Sequence, residues 1–192
     1  MSKVAFIRLV LVTALLAASG GLVDAAVLTA LAADETVAVI RQDCSSHGGS
    51  EPCYESLSAW EADYGGIDFG GNPQGDMVAA DKIAVARIEG PWTQADTAPL
   101  SLSGWTTDAD HYIYIYTTNE ARHDGTPGSG YGLRTTGSAS IYGNVAYFRI
   151  EGLEIHSLSS NSPVYARPGA DIDGDIQLSY NLIHGNGTDT GS

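Results

Sequence analysis

His111-Tyr112-Ile113-Tyr114-Ile115-Tyr116 is the cleanest alternating stretch in the chain. Period-two alternation puts Ile113 and Ile115 on one face of a pleated strand and the tyrosines on the other. Three further stretches carry two large apolar residues at the same spacing: Ile83/Val85, Phe148/Ile150 and Ile176/Leu178. Laid over one another, the four pairs recur at intervals of 30, 35 and 28 residues. Returns of that irregular length suit strands that stack while their connecting loops vary. The pattern predicts an all-β parallel solenoid. A second agreement supports it, because Ile155 falls over Ile183 and His156 over His184, both 28 residues apart.

Outward from this stack, the N-terminus reads differently. Lys3 and Arg8 give a basic start, residues 9–23 are uncharged and mostly apolar, and small residues follow at Ala25, Ala30 and Ala32. An apolar run of that length is short for a bilayer span, which takes about 20 residues, and fits the core of a signal peptide. Residues 1–32 are therefore expected to be a leader, and the protein secreted, periplasmic or at the cell surface, with no membrane span once the leader is cleaved. Loss of Lys3, Arg8 and Asp24 takes the formal charge from −14 to −15. Such acidity opposes nucleic acid as a partner, since phosphate binding requires Lys and Arg.

Cys44 and Cys53 are the only cysteines and enclose a short turn-rich loop. In an exported protein this arrangement favours a disulfide, worth about 2 to 3 kcal/mol by restricting the unfolded chain. Free thiols, or half a metal site with His47, are the alternatives; one His with two Cys at this spacing matches a zinc motif poorly.

Residues 33–66 read as a first strand over 36–40, the cysteine loop and a cap helix. Leu57, Trp60 and Tyr64 share one helical face, Ser58 and Glu61 form a capping-box pattern, and Gly65-Gly66 stops the helix. An open stack of strands exposes its first apolar layer, which such a helix would plug. Residues 67–192 hold about four coils. The last stretch, from His184 to Ser192, has no apolar residue to cover the final coil. A partner, or further coils, is expected at that end.

Tyr54-Glu55-Ser56-Leu57-Ser58-Ala59-Trp60-Glu61-Ala62, Ser103-Gly104-Trp105-Thr106-Thr107-Asp108-Ala109-Asp110-His111-Tyr112 and Phe148-Arg149-Ile150-Glu151-Gly152-Leu153-Glu154-Ile155 resemble segments of exported bacterial proteins of the pectate-lyase-like superfamily. The resemblance implies a right-handed parallel β-helix with an N-terminal cap helix, outer strand faces that bind saccharides, and further coils. The aspartate cluster of polygalacturonases and the Trp-Ile-Asp-His segment of pectate lyases are both absent from the sequence.

If the apolar pairs point inward, the alternate residues form outward ladders on strands about 4.8 Å apart. The central ladder is Ala84, Tyr114, Arg149, Gln177, flanked by Lys82, Tyr112, Tyr147 and by Ala86, Tyr116, Glu151, Ser179. Tyr112, Tyr114, Tyr116, Tyr147, Arg149, Glu151 and Gln177 are the candidate carbohydrate-binding residues, because rings stack on sugar faces and polar groups fix hydroxyls. The plainer alternative is cross-strand packing without a ligand. Arg149 and Glu151 suggest either lyase chemistry on uronic acids or, more simply, a surface ion pair.

Asp171, Asp173 and Asp175 are the densest carboxylates and could hold Ca2+, although their order does not fit an EF-hand and a solvated turn is preferred. His156 and His184 could share a metal across strands, but the sequence places no third ligand, so a polar ladder is the preferred reading. Asn181 and Asn186 are expected to serve turns. The leading functional expectation is an exported module recognising extracellular or cell-envelope polysaccharide. The N-terminal part of a polysaccharide lyase or glycoside hydrolase is the alternative, and a structural surface or adhesion protein the third reading. No complete catalytic motif is present.

Overall fold

The computed structural model describes residues 33–65, 75–137, 139–167 and 174–185, all within one compact unit, Ala32–Ser192. The expected leader, residues 1–32, lies outside the described residues. Among the described residues, twelve strands divide among three parallel sheets. The largest contains β1 (Asp34–Ile40), β2 (Cys53–Tyr54), β3 (Lys82–Ile88), β5 (Ile113–Thr117), β8 (Tyr147–Glu151) and β11 (Asp175–Ser179), in the order β11-β8-β5-β3-β1-β2. A second joins β4 (Leu100–Leu102), β7 (Ile141–Gly143) and β10 (Val164–Ala166), in the order β10-β7-β4. The third, in the order β12-β9-β6, joins β6 (Gly132–Thr135), β9 (Glu154–Ser157) and β12 (Leu182–Gly185).

This corrects the fold expected from the sequence, an all-β right-handed parallel β-helix read as a single solenoid. The strands form three small separate sheets, and two helices, α1 (Leu57–Tyr64) and α2 (Met77–Ala80), accompany them. The apolar pairs that suggested one continuous stack all belong to the largest sheet. Bends explain why the ladder does not run on. Gly152 (φ 83°) and Tyr180 (φ 54°) both take left-handed backbone, ending β8 and β11, and the chain then enters the third sheet as β9 and β12. Left-handed backbone interrupts a pleated ladder and is tolerated best by glycine.

The predicted stacking holds between β5, β8 and β11, where Ile113 pairs with Phe148 and Ile176 with Phe148 from the other side. It slips by one residue at β3. Ala84 lies beside Ile113 and Ala86 beside Ile115, so Ala84, Ala86 and Ile88 face the core and Ile83 and Val85 face the other way. A one-residue slip exchanges the two faces of a strand. The phase was ambiguous because both faces of β3 are buried: Val85 is as inaccessible as Ala84.

Helix α1 closes one end of the core. Its first turn is capped by Ser56, whose hydroxyl accepts from the Ala59 N–H, in place of the Ser58–Glu61 box expected from the pattern. Leu57, Trp60 and Tyr64 are buried as predicted, and the Trp60 ring lies 5.8 Å from that of Trp105. The Cys44–Cys53 disulfide is formed and sets β2 beside β1. Among the described residues, no helix is long and apolar enough to cross a membrane. On the last strands Leu178 and Ile183 are exposed.

Candidate functional site

The outer face of the largest sheet carries most of the sequence-predicted site. In-register pairing sets Val85, Tyr114, Arg149 and Gln177 in one row and Arg87, Tyr116, Glu151 and Ser179 in the next. The slip at β3 therefore replaces the expected Ala84 and Ala86 with Val85 and Arg87. The tyrosines and Arg149 alternate with fully buried neighbours and keep partial solvent access, as one-sided strands do.

Specific contacts order this face. The Tyr112 ring lies 3.7 Å beneath the Arg149 guanidinium, a cation–π contact. Tyr114 and Tyr116 stack at 4.9 Å. The Tyr114 hydroxyl donates to Glu151 Oε2 at 2.9 Å, and Arg122 donates to Glu151 Oε1 at 2.7 Å. Glu151 thus pairs with Arg122, and the surface ion pair expected between Arg149 and Glu151 is replaced. The sequence could not show this, because Arg122 comes from the loop after β5. Burial, then the Glu151 carboxylate, push the Tyr114 hydroxyl well above the ordinary tyrosine range, so it remains a donor. Tyr147 is half-buried at the start of β8. Gln177 donates to the exposed Asp175 carboxylate at the start of β11. Asp171 and Asp173, the other members of the expected Ca2+ cluster, lie outside the described residues.

The third sheet assembles a polar cluster that the sequence only partly disclosed. Arg134, His156 and His184 are neighbours across β6, β9 and β12, with Glu154 two residues before His156 on the same face of β9. The His156 and His184 rings lie 3.9 Å apart. Glu154 is fully buried. It accepts from Gly128 N–H at 2.6 Å, from Arg134 at 3.0 Å, and meets His184 Nε2 at 3.1 Å. Burial alone would raise the Glu154 carboxyl, but the Gly128 N–H, His184 and Arg134 outweigh it and hold the group below the usual range. Burial, with His184 and Arg134 nearby, lowers His156. A small cleft lined by Trp92, Gly128, Gly132 and Arg134 opens beside Glu154.

Sequence reasoning missed Glu154 and Arg134. The signal for Glu154 was present: if Leu153 and Ile155 start the new inward phase, Glu154 and His156 share the opposite side. It also missed a second aromatic surface, the stacked and partly exposed Tyr142 and Tyr165 of β7 and β10, 5.6 Å apart. Asn181 serves the bend as expected, donating to Ile150 C=O and accepting from Leu153 N–H, each at 2.9 Å. Asn186 lies outside the described residues. No family model, curated protein or solved structure matches the chain, so the likeness to pectate-lyase-like proteins rests on the three quoted segments alone.

Proposed function

We propose that this is an exported protein that binds polysaccharide through the outer face of its largest sheet. The observation that carries the reading is the pair of in-register rows, Tyr114-Arg149-Gln177 and Tyr116-Glu151-Ser179, with Tyr112 beneath Arg149. Rings offer apolar faces to sugar rings, while guanidinium, carboxylate and amide groups in fixed positions bind hydroxyls. The contacts of Glu151 with Tyr114 and Arg122 hold these polar groups in place before a ligand arrives. Export is supported by the disulfide and by the leader-like composition of residues 1–32. The formal charge of −14 favours neutral over acidic polysaccharides as partners.

Electrophoresis through gels cast with soluble neutral polysaccharides tests the reading. At least one gel should retard the wild-type protein, and Tyr112→Ala with Arg149→Ala should abolish the retardation. Tyr142→Ala with Tyr165→Ala, on another sheet, should leave it unchanged. The reading fails if no gel retards the wild type, or if the Tyr142/Tyr165 double variant is the one that migrates freely.

A further inference from the structure

We propose that Glu154, His156 and His184 form a site for a divalent transition metal of the zinc class. Their donor atoms all lie within 4.8 Å of one another, and they come from two adjacent strands locked in register by backbone pairing. The sequence supplied two imidazoles at matching positions; the fold adds the third ligand, a carboxylate. Three protein donors of nitrogen and oxygen are the usual complement of an accessible zinc site, leaving the fourth tetrahedral position for water or a ligand.

A second observation comes from atoms without partners. His156 Nδ1 and Arg134 Nε are both buried and have no hydrogen-bond partner among the described residues. Buried polar groups are ordinarily satisfied, and an imidazole nitrogen, unlike the donor-only guanidinium, can accept a metal ion, so His156 Nδ1 marks a place where an added ion completes the bonding. Two imidazoles select against calcium and magnesium, which prefer oxygen, and for zinc, copper or nickel. The site is thus distinct in chemistry from the calcium reading of Asp171, Asp173 and Asp175.

Arg134 sets the terms of binding. Its guanidinium already sits 3.0 Å from Glu154 Oε1, so an arriving dication meets one positive charge. Glu154 has two oxygens to share, with Gly128 N–H on Oε2 and Arg134 and His184 on Oε1. On binding, the metal takes the place of the proton on His184 Nε2, which moves to Nδ1 or to solvent, and Arg134 keeps its contact with the carboxylate. Removing the arginine's charge while keeping an amide should therefore tighten the metal.

The test uses the full chain, stripped with chelator and titrated calorimetrically with zinc chloride, with cobalt chloride as a visible-absorption probe. One equivalent of zinc should bind, and cobalt should give the absorption of a nitrogen- and oxygen-ligated low-coordinate ion. His156→Ala and His184→Gln should each weaken zinc by more than about tenfold, and Arg134→Gln should strengthen it. His184→Gln keeps an amide within reach of Glu154 and so separates loss of a ligand from loss of the fold, which circular dichroism reports independently. The proposal is overturned if no stoichiometric zinc binds to folded protein. It is equally overturned if both histidine variants bind as the wild type does, since His47, His111 and His123 would then be responsible.

Discussion

The hydroxyl of Tyr131, a fully buried side chain, donates to Asp96 Oδ2 at 2.9 Å. The same oxygen accepts from the first N–H of helix α1, at Leu57, and Oδ1 accepts from Ala98 N–H. Backbone bonds then tie Asp96 to β6 on both sides, through Gly132 C=O and Arg134 N–H. Asp96 therefore joins the end helix, through its carboxylate, to the strand that carries Arg134, through its backbone. Burial, then the negative charge of Asp96, push the Tyr131 hydroxyl far above its ordinary range, so the proton stays in place.

Tyr131→Phe removes that proton with almost no change in volume. Loss of a hydrogen bond to an ionised, buried acceptor costs about 2 kcal/mol. Urea unfolding should show a decrease of that size. A change under about 0.5 kcal/mol would mean that the two backbone donors alone satisfy Asp96.

His111 gives the fold a pH dependence. Its Nε2 lies 3.0 Å from Asp81 and its Nδ1 2.7 Å from Asp108, and a histidine donates from both nitrogens only when it is cationic. The hydrogen bond to Asp81 raises its pKa most, burial opposes this, and Asp108 adds to the rise. A raised folded-state pKa contributes stability that is complete below the unfolded value, about 6.5, and is lost as pH rises through the folded value. Unfolding curves of wild type and His111→Gln should therefore lie furthest apart below about pH 6.5 and converge as the pH rises above it. A gap that stays constant as the pH rises would show that the ring acts only through packing.

How much of this was legible in the sequence depends on whether a strand has one wet face. β5 and β8 do, and their alternation gave the inward residues correctly. β3 is buried on both sides, so Ile83 and Val85 looked like the core pair although Ala84 and Ala86 face it. The strands of the two smaller sheets are three or four residues long, too short to carry a period. Residues 132–135, with Arg134 among them, therefore carried no strand signal. Glu154 was visible but uninterpreted, because a buried carboxylate is recognised by its partners, and Arg134 and Gly128 reach it only through the fold.

Gly152 marks the junction on which these layers depend. Its φ of 83° is left-handed, and a Cβ built there would meet the Thr117 hydroxyl and lie 2.7 Å from Arg122 Nε. Thr117 cannot yield easily, since its hydroxyl donates to Gly152 C=O and accepts from Arg122. Arg122 is in turn held by Glu151. Gly152→Ala combines backbone strain, about 1 to 3 kcal/mol, with a steric conflict against two side chains that are themselves bonded. The expected loss is above about 2 kcal/mol, read as a lower urea midpoint with an unchanged slope. Because the bend also presents Leu153 N–H to Asn181, hydrogen exchange should quicken first at Leu153 and Leu182, whose N–H groups bond across it. If alanine were accepted with no loss of stability, the bend would owe its shape to the sheets on either side and not to glycine.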